Sequence, residues 1–223
     1  MLRINPKLQE TTFRWRIFDL KKKHIIRSVS KTKYTLQYQP AFIPFIEPKL
    51  KALYKDVKKN FPHTKICVWN TKWLNEFMLH QPGRFLTIIE VEADAASSVF
   101  NYFKDTSHKN VFIDPQIKEI ENYLYDDLTS IVVLSLVTKA PTVMVDSVVT
   151  ASLEKILVDI FSNPELFNTF QGQERNLIFE NAFSRNSINT TRLFHYATRR
   201  NKKAALEEYI NNHLHLPLPL NHD

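Results

Sequence analysis

The stretch VTASLEKILVDIFSNPELF, residues 149–167, lies where the pattern of the sequence changes. Four of its apolar residues follow the i, i+3, i+4, i+7 spacing of one buried helix face: Leu153, Ile156, Leu157 and Ile160. This spacing predicts a helix with one face in the core. Its charged residues Glu154, Lys155 and Asp159 are then expected to lie outward or at the margins of that face.

Strands and helices alternate before this stretch, and helices alone follow it. Strands are predicted at 65–70, 84–92, 110–114 and 130–137, with helices at 50–60, 72–79, 94–105 and 116–125. After residue 150, helices are predicted at 152–161, 172–184, 190–199 and 202–213. The pattern indicates an α+β protein in which residues 40–223 form a mixed α/β domain ending in a helical bundle.

The beginning of the chain has a different pattern. TTFRWRIFDLKKKHII, residues 11–26, predicts a helix of about 13 residues from Thr11. Its inward face is predicted to be Phe13, Ile17, Leu20 and His24. Two β-prone runs, 25–30 and 33–37, predict a basic hairpin, and the Pro-rich run 39–48 predicts an extended linker.

A helix followed by a basic hairpin is typical of the closing half of a winged helix-turn-helix. Residues 1–39 are therefore predicted to form a partial winged-helix DNA-binding domain, incomplete because only a short stub precedes Thr11. The predicted recognition-helix contacts are Thr12, Arg14, Trp15, Arg16 and Lys22, with Lys31 and Lys33 on the wing. An amphipathic helix with a solvated basic face is the plainer alternative.

The distribution of charge supports an anionic partner for this segment. Residues 1–60 contain 15 Lys and Arg against four acidic residues, whereas the rest of the chain contains 15 against 19. A net charge of +11 on the first part and −4 on the second indicates nucleic acid as the first candidate. A protein-interaction module whose basic head meets an acidic protein remains an alternative.

Composition argues against several classes of protein. The two glycines, Gly83 and Gly172, form no phosphate-binding or dinucleotide-binding pattern, which disfavours kinase, P-loop and Rossmann folds. No apolar run is long enough to predict a membrane span, and the first residues do not resemble a secretory signal. The single cysteine, Cys67, allows no intramolecular disulfide and favours a cytoplasmic location.

One pattern offers an enzymatic alternative. Glu90, Glu92 and Asp94 alternate at the end of a predicted strand, as in nucleases that bind Mg²⁺ through carboxylates. Such nucleases usually add a lysine two residues after the second carboxylate, where this chain has Asp94, so a charged strand edge is the preferred interpretation. His63 and Cys67 lack a second zinc-ligand pair. No catalytic residue, metal or cofactor is predicted.

Three stretches together resemble a known family. KKKHIIRSVSKTKYTL resembles the winged-helix end of antitoxin-type regulators, and residues 149–167 resemble a segment of the AbiEi antitoxins of type IV toxin–antitoxin systems, which belong to viral defence. RLFHYATRRNKKAALEEYI, residues 192–210, resembles the closing helices of the same antitoxin domain. The residues that match are Ser152, Glu154, Lys155, Leu157, Asp159, Arg199 and Arg200.

The resemblance implies a bacterial, non-enzymatic protein with two functions. It implies an N-terminal domain that binds operator DNA and represses its own operon. It also implies a C-terminal domain that neutralises a nucleotidyltransferase-like toxin, without requiring a stable complex. On this basis the toxin-facing surface is predicted to contain Glu154, Lys155, Asp159, Arg199 and Arg200.

Overall fold

The N-terminal part contains the predicted helix and hairpin. In the computed structural model, helix α1 spans Glu10–Lys22 and strand β1 (Arg27–Ser28) pairs antiparallel with β2 (Tyr34–Thr35). No residue of α1 is fully buried, but the three described residues of its predicted inward face are partly covered. The residues that the structure describes are 10–22, 26–28, 34–35, 39–106, 110–124 and 129–214.

The predicted linker is extended and lies against the body of the protein. Gln39 Nε2 donates hydrogen bonds to the carbonyl oxygens of Phe183 and Ser184, at 2.9 and 2.5 Å. The amide of Ser187 donates to the carbonyl of Pro40. These contacts tie the segment to the C-terminal helices before the next helix begins at residue 48.

A four-stranded mixed sheet forms the centre of the body. Its strands are β3 (Ile66–Asn70), β4 (Phe85–Val91), β5 (Val111–Ile113) and β6 (Thr129–Ser135). They lie in the order β3-β4-β6-β5, with β3 antiparallel to β4 and with β6 parallel to both of its neighbours. Parallel strands need crossover connections, and α3 (Ala96–Asp105) supplies the one from β4 to β5, which lies on the far side of β6.

Helices cover both faces of this sheet. On one face, α2 (Pro48–Asn60) and α3 pack on residues such as Ile89, Val91 and Val133. The opposite face, with Trp69 and Ile88, packs against the C-terminal helices. These are α5 (Leu153–Ser162), α6 (Gln173–Arg185), α7 (Thr190–Arg199) and α8 (Lys203–His213). Strands that are buried on both faces consist of nearly continuous apolar runs, as β4 does. The predicted α+β class is confirmed.

Three elements differ from the prediction. Strands β7 (Thr142–Val145) and β8 (Val148–Ala151) form an unpredicted hairpin beside β3. The turn of this hairpin has positive φ at Asp146 and Ser147. The predicted helix at 72–79 is a 3-10 helix, Thr71–Phe77, started by the Asn70 side chain, which accepts from Lys72 N.

The predicted helix at 116–125 is also irregular. It consists of one α-helical turn, α4 (Ile117–Glu119), followed by a π-helical turn at Ile120–Leu124. Both irregular helices are too short to be fixed by local propensity, so packing decides their hydrogen-bond pattern. Over the ranges that the structure describes, no helix combines the length and apolar character needed to cross a bilayer.

Candidate functional site

A cluster of charged side chains lies between the sheet and the C-terminal helices. Lys155 on α5 has no exposed surface, and its Nζ lies 2.6 Å from Glu90 Oε2 on β4 and 2.5 Å from Asp159 Oδ2. Removing an ammonium group from water is tolerated when opposite charges surround it, as the two carboxylates do here. We call Glu90, Lys155, Asp159, Tyr196 and Arg200 the buried charge cluster.

The burial of this helix corrects the prediction for three residues. Glu154, Lys155 and Asp159 were expected to lie outward, but their exposed fractions are 6%, 0% and 5%. Helix α5 is enclosed by the sheet and by α6 and α7, so every residue from Leu153 to Ile160 is buried. These three residues cannot form a surface that a partner contacts directly.

Further contacts complete the buried charge cluster. The hydroxyl of Tyr196 donates to Asp159 Oδ1 at 2.8 Å, and Arg200 Nε lies 3.6 Å from the same oxygen. The indole N–H of Trp69 donates to Glu90 Oε2 at 3.2 Å. Two carboxylates therefore meet two cations and two neutral donors, and Arg200 Nε takes part through charge alone because it forms no hydrogen bond.

Glu154 has a separate structural role at the beginning of α5. Its Oε2 accepts a hydrogen bond from Ser152 Oγ at 2.6 Å, and its Oε1 accepts one from the amide of Asn189 at 2.9 Å. Asn189 is the residue that caps α7. The carboxylate therefore fixes the beginning of α7 to the beginning of α5.

Burial and charge alter the acid–base behaviour of the cluster. Burial raises the pKa of Glu90, although the nearby ammonium of Lys155 opposes the rise. Burial alone would lower the pKa of Lys155, but the carboxylates of Asp159 and Glu90 outweigh it and raise that pKa well above its usual value. Burial, followed by the charge of Asp159, raises the pKa of Tyr196. Lys155 is therefore a permanent cation at neutral pH.

A polar cavity of about 250 Å³ opens beside the buried charge cluster. It lies at the carboxyl ends of the parallel strands. Glu90 and Ser135 lie in the last two residues of β4 and β6, and Asp114 directly follows β5. Ligands of open α/β sheets commonly bind at this edge. Arg200, whose side chain is 28% exposed, also lines the cavity and links it to Asp159.

The structure brings some of the predicted residues together and separates others. Lys155, Asp159 and Arg200 meet in one cluster with Glu90, which the sequence assigned to a different hypothesis. Arg199 lies outside the cluster, where it is exposed and donates to Thr138 Oγ1.

The two carboxylates of the nuclease hypothesis do not share a site. Glu90 is buried and contacts Lys155, whereas Glu92 is partly exposed and pairs with Lys65 at 2.9 Å. The hydrogen bond from the Lys65 side chain lowers the pKa of Glu92. The two residues also line different cavities. In the part of the chain described here, no group of three or more His, Cys, Asp or Glu residues could hold a metal ion.

The exposed face of α1 combines cations with large aromatic side chains. Trp15 and Phe18 are 65% and 64% exposed, and Thr12, Arg14, Arg16 and Lys22 are exposed with them. Arg14 pairs with Glu10 one turn earlier, at 2.5 Å. Because two large aromatic side chains rarely lie in water on the same helix without a partner, this face is a candidate nucleic-acid interface.

The hairpin lies next to this helix. Lys21 Nζ sits 5.1 Å from the centre of the Tyr34 ring, and the amide of Ile26 donates to the carbonyl of Leu20. The helix and strand pair therefore contact each other as one basic unit. The predicted wing residues Lys31 and Lys33, and His24 of the predicted inward face, lie outside the described residues.

Sequence reasoning missed two residues here: Tyr196, a member of the buried charge cluster, and Trp69, which donates to its Glu90. Both lie among apolar residues, Trp69 in a predicted strand and Tyr196 in a predicted helix. A signal was present, since a buried indole N–H or phenol needs a hydrogen-bond partner. Tyr196 also precedes Arg200 by four residues, which places both side chains on one side of α7.

Comparison with known proteins places the chain in a family. No curated protein matches the chain. Residues 12–216, from the beginning of α1 to just beyond α8, match the family DUF6577, which is described as a family of unknown function. Since this match includes both the basic N-terminal unit and the body with its buried charge cluster, the protein belongs to the DUF6577 family.

Proposed function

We propose that this protein is a cytoplasmic DNA-binding autoregulator and an antitoxin that neutralises a nucleotidyltransferase-like toxin. The observation that carries the DNA-binding part is the exposed face of α1. Arg14, Trp15 and Arg16 are all exposed there, with the two arginines on either side of Trp15. The pairing of β1 with β2 after α1 supports this proposal, because a wing follows the recognition helix in a winged helix.

The chemistry of this face fits duplex DNA. An α-helix fits the major groove, and arginine can donate two hydrogen bonds to guanine O6 and N7. Lys22 and Thr12 suit phosphate oxygens, which position a helix without reading sequence. In this proposal Arg14 and Arg16 read bases, and the lysines of helix and wing contact the backbone.

The antitoxin part rests on the resemblance of residues 149–167 and 192–210 to AbiEi antitoxins. Its surface differs from the one expected from sequence, because Glu154, Lys155 and Asp159 are buried. Of the residues carried over, Arg199 is exposed and Arg200 is partly exposed. The buried residues act by holding α5, α7 and the sheet in place, and any contact with the toxin is made elsewhere.

DNA binding is tested by measuring affinity for the promoter of the protein's own operon at two salt concentrations. Each neutralised phosphate should contribute about −0.9 to the slope of log affinity against log salt. Five contacts would thus weaken binding by about 500-fold between 50 and 200 mM salt. A duplex of shuffled sequence is the control. Equal affinity for both duplexes, or no binding at 50 mM salt, would reject the proposal that the protein regulates its own operon.

Neutralisation is tested by growth, because the relationship with the toxin does not require a stable complex. The full chain and its Arg14→Ala/Arg16→Ala variant are each co-expressed with the neighbouring nucleotidyltransferase-like gene. Both should restore growth, since the substitutions lie on α1 and leave the body unchanged, whereas only the unmodified chain should repress the operon. If no neighbouring gene is toxic, or if neither chain restores growth, the antitoxin assignment is wrong.

A further inference from the structure

A second, larger cavity lies at the same edge of the sheet, on the side of α2. Its volume is about 630 Å³, within the range of small-molecule and cofactor sites. Glu92 follows β4 and Leu136 follows β6, so the cavity opens at the carboxyl ends of two parallel strands. The beginning of β3 and the connection between β6 and β7 form its other walls.

The cavity has an apolar interior and a basic rim. Its apolar wall is formed by the ring of Tyr54 and by aliphatic side chains: Ile66, Leu136, Val137, Ala140 and Val149. The rim carries Lys58, Lys65 and Lys139, against which Glu92 is the single carboxylate among the described lining residues. This arrangement is complementary to an anion that has a flat or apolar body.

Two of the three rim lysines can attract an anionic ligand, because no carboxylate in the described ranges neutralises their charge. Lys65 is paired with Glu92 at 2.9 Å. Lys58 Nζ donates to the carbonyl oxygens of Pro62 and Thr64, at 2.7 and 3.4 Å, which leaves its positive charge without a carboxylate. Within the described ranges, neither Lys58 nor Lys139 forms an ion pair.

The backbone at Lys139 adds an independent observation. Its φ is 61°, in the left-handed region that favours glycine, and the turn closes with a hydrogen bond from Ala140 N to Val137 O. A lysine in this conformation is strained relative to glycine, and such strain is often found where a side chain serves a ligand. The strained position places the Lys139 side chain at the rim of the cavity.

We propose that this cavity binds a nucleoside phosphate. The base lies against Tyr54 and the aliphatic wall, and the phosphates are held by Lys58 and Lys139, with the Lys65–Glu92 pair beside them. Lysines act as point charges toward phosphate, and the several charges of a phosphate chain match a rim with two unpaired ammonium groups. The site is separate from α1 and goes beyond the proposed DNA and toxin partners.

Isothermal titration of the full chain tests the proposal. The titrants are purine and pyrimidine nucleoside diphosphates, a nucleoside that lacks phosphate, and pyrophosphate, which lacks a base. At least one diphosphate should bind at least about tenfold more tightly than both the nucleoside and pyrophosphate, because it uses wall and rim together. If no diphosphate binds more tightly than pyrophosphate and the nucleoside, the proposal is overturned.

Two substitutions locate the binding site. Lys139→Gly removes the backbone strain at positive φ, so it should preserve or raise the melting temperature. It also removes the amine, so it should weaken diphosphate binding about tenfold. Lys58→Gln retains a donor for the loop carbonyls and should weaken binding similarly. Lys59→Gln, on the next residue of α2 but outside the lining, is the matched control and should not change affinity.

The Arg14→Ala/Arg16→Ala variant separates this site from α1. It should bind the diphosphate as tightly as the unmodified chain. Loss of binding in this variant, or unchanged binding in a folded Lys139→Gly protein, would place the ligand elsewhere and overturn the proposal.

Discussion

Lys155 Nζ lies 2.7 Å from Oε1 and 2.6 Å from Oε2 of Glu90, a residue 65 positions earlier in the chain. The contact joins helix α5 to the centre of the sheet, where Glu90 pairs in register with Cys67 and Leu134 on the neighbouring strands. It is a polar link between two layers of the fold that also pack through apolar residues.

Replacing Lys155 by methionine should destabilise the protein by about 3–5 kcal/mol, because Glu90 would remain as a buried charge without a cation and Asp159 would keep only its contact with Arg200. Urea unfolding followed by circular dichroism measures the change. Adding Glu90→Gln and Asp159→Asn to this variant removes those charges and should recover part of the loss. A cost below about 1 kcal/mol for Lys155→Met would contradict the assigned pairing.

Glu90 and Glu92 should respond differently to neutralisation. Glu90→Gln breaks a buried ion pair and should lower stability by roughly 3 kcal/mol. Glu92→Gln breaks only the exposed contact with Lys65 and should leave the melting temperature nearly unchanged. Thermal unfolding of the two variants, side by side, is the measurement. Similar melting temperatures for both would mean that Glu90 is not buried as described.

The protein should lose stability at alkaline pH through Tyr196. Burial and the Asp159 charge raise its pKa, so the folded protein keeps the phenol proton that the unfolded chain releases above about pH 10. The unfolded state then binds fewer protons, and stability falls by up to about 1.4 kcal/mol per pH unit from this group. Lys155, whose pKa is also raised, acts in the same direction.

Comparison with Tyr196→Phe isolates this contribution from those of other lysines and tyrosines. The variant should be less stable at pH 8, because Asp159 loses a hydrogen bond, but its stability should fall less steeply between pH 10 and 11. Unfolding free energies at several pH values give both slopes. Parallel slopes would show that Tyr196 titrates normally in the folded state.

Substitutions on α1 should affect DNA binding without affecting the fold. Trp15→Ala removes a side chain that is 65% exposed, so stability should change by no more than about 0.5 kcal/mol while promoter affinity falls. Arg14→Ala or Arg16→Ala should cost about 1–3 kcal/mol of binding and relax sequence preference.

Lysines of the predicted wing should behave differently from these arginines. Lys31→Ala/Lys33→Ala should weaken binding to all duplexes alike, because phosphate contacts carry no sequence information. Fluorescence anisotropy with the promoter and a shuffled duplex distinguishes the two effects. A wing variant that loses only promoter binding would reverse the assigned roles.

Much of the fold could be predicted because hydrophobic periodicity is a local property. The run 84–92 predicted strand β4 and the spacing of Leu50, Leu53 and Val57 predicted α2, as the structure confirms. The β7–β8 hairpin was not predicted, because its turn residues Asp146 and Ser147 lack the glycine that usually marks such a turn.

For the candidate sites, sequence determined which residues carry charge and where α1 and α5 lie, since both follow from residue type and spacing. It could not determine the surroundings of α5. A polar helix face meets water unless other elements cover it. Here strand β4 and helix α7 cover it, and they bring Glu90 to Lys155 from 65 positions away and Tyr196 to Asp159 from 37 positions away. Only the tertiary structure decided that Lys155 and Asp159 lie inside, because the carboxylates, phenol and guanidinium that make their burial favourable are assembled by folding.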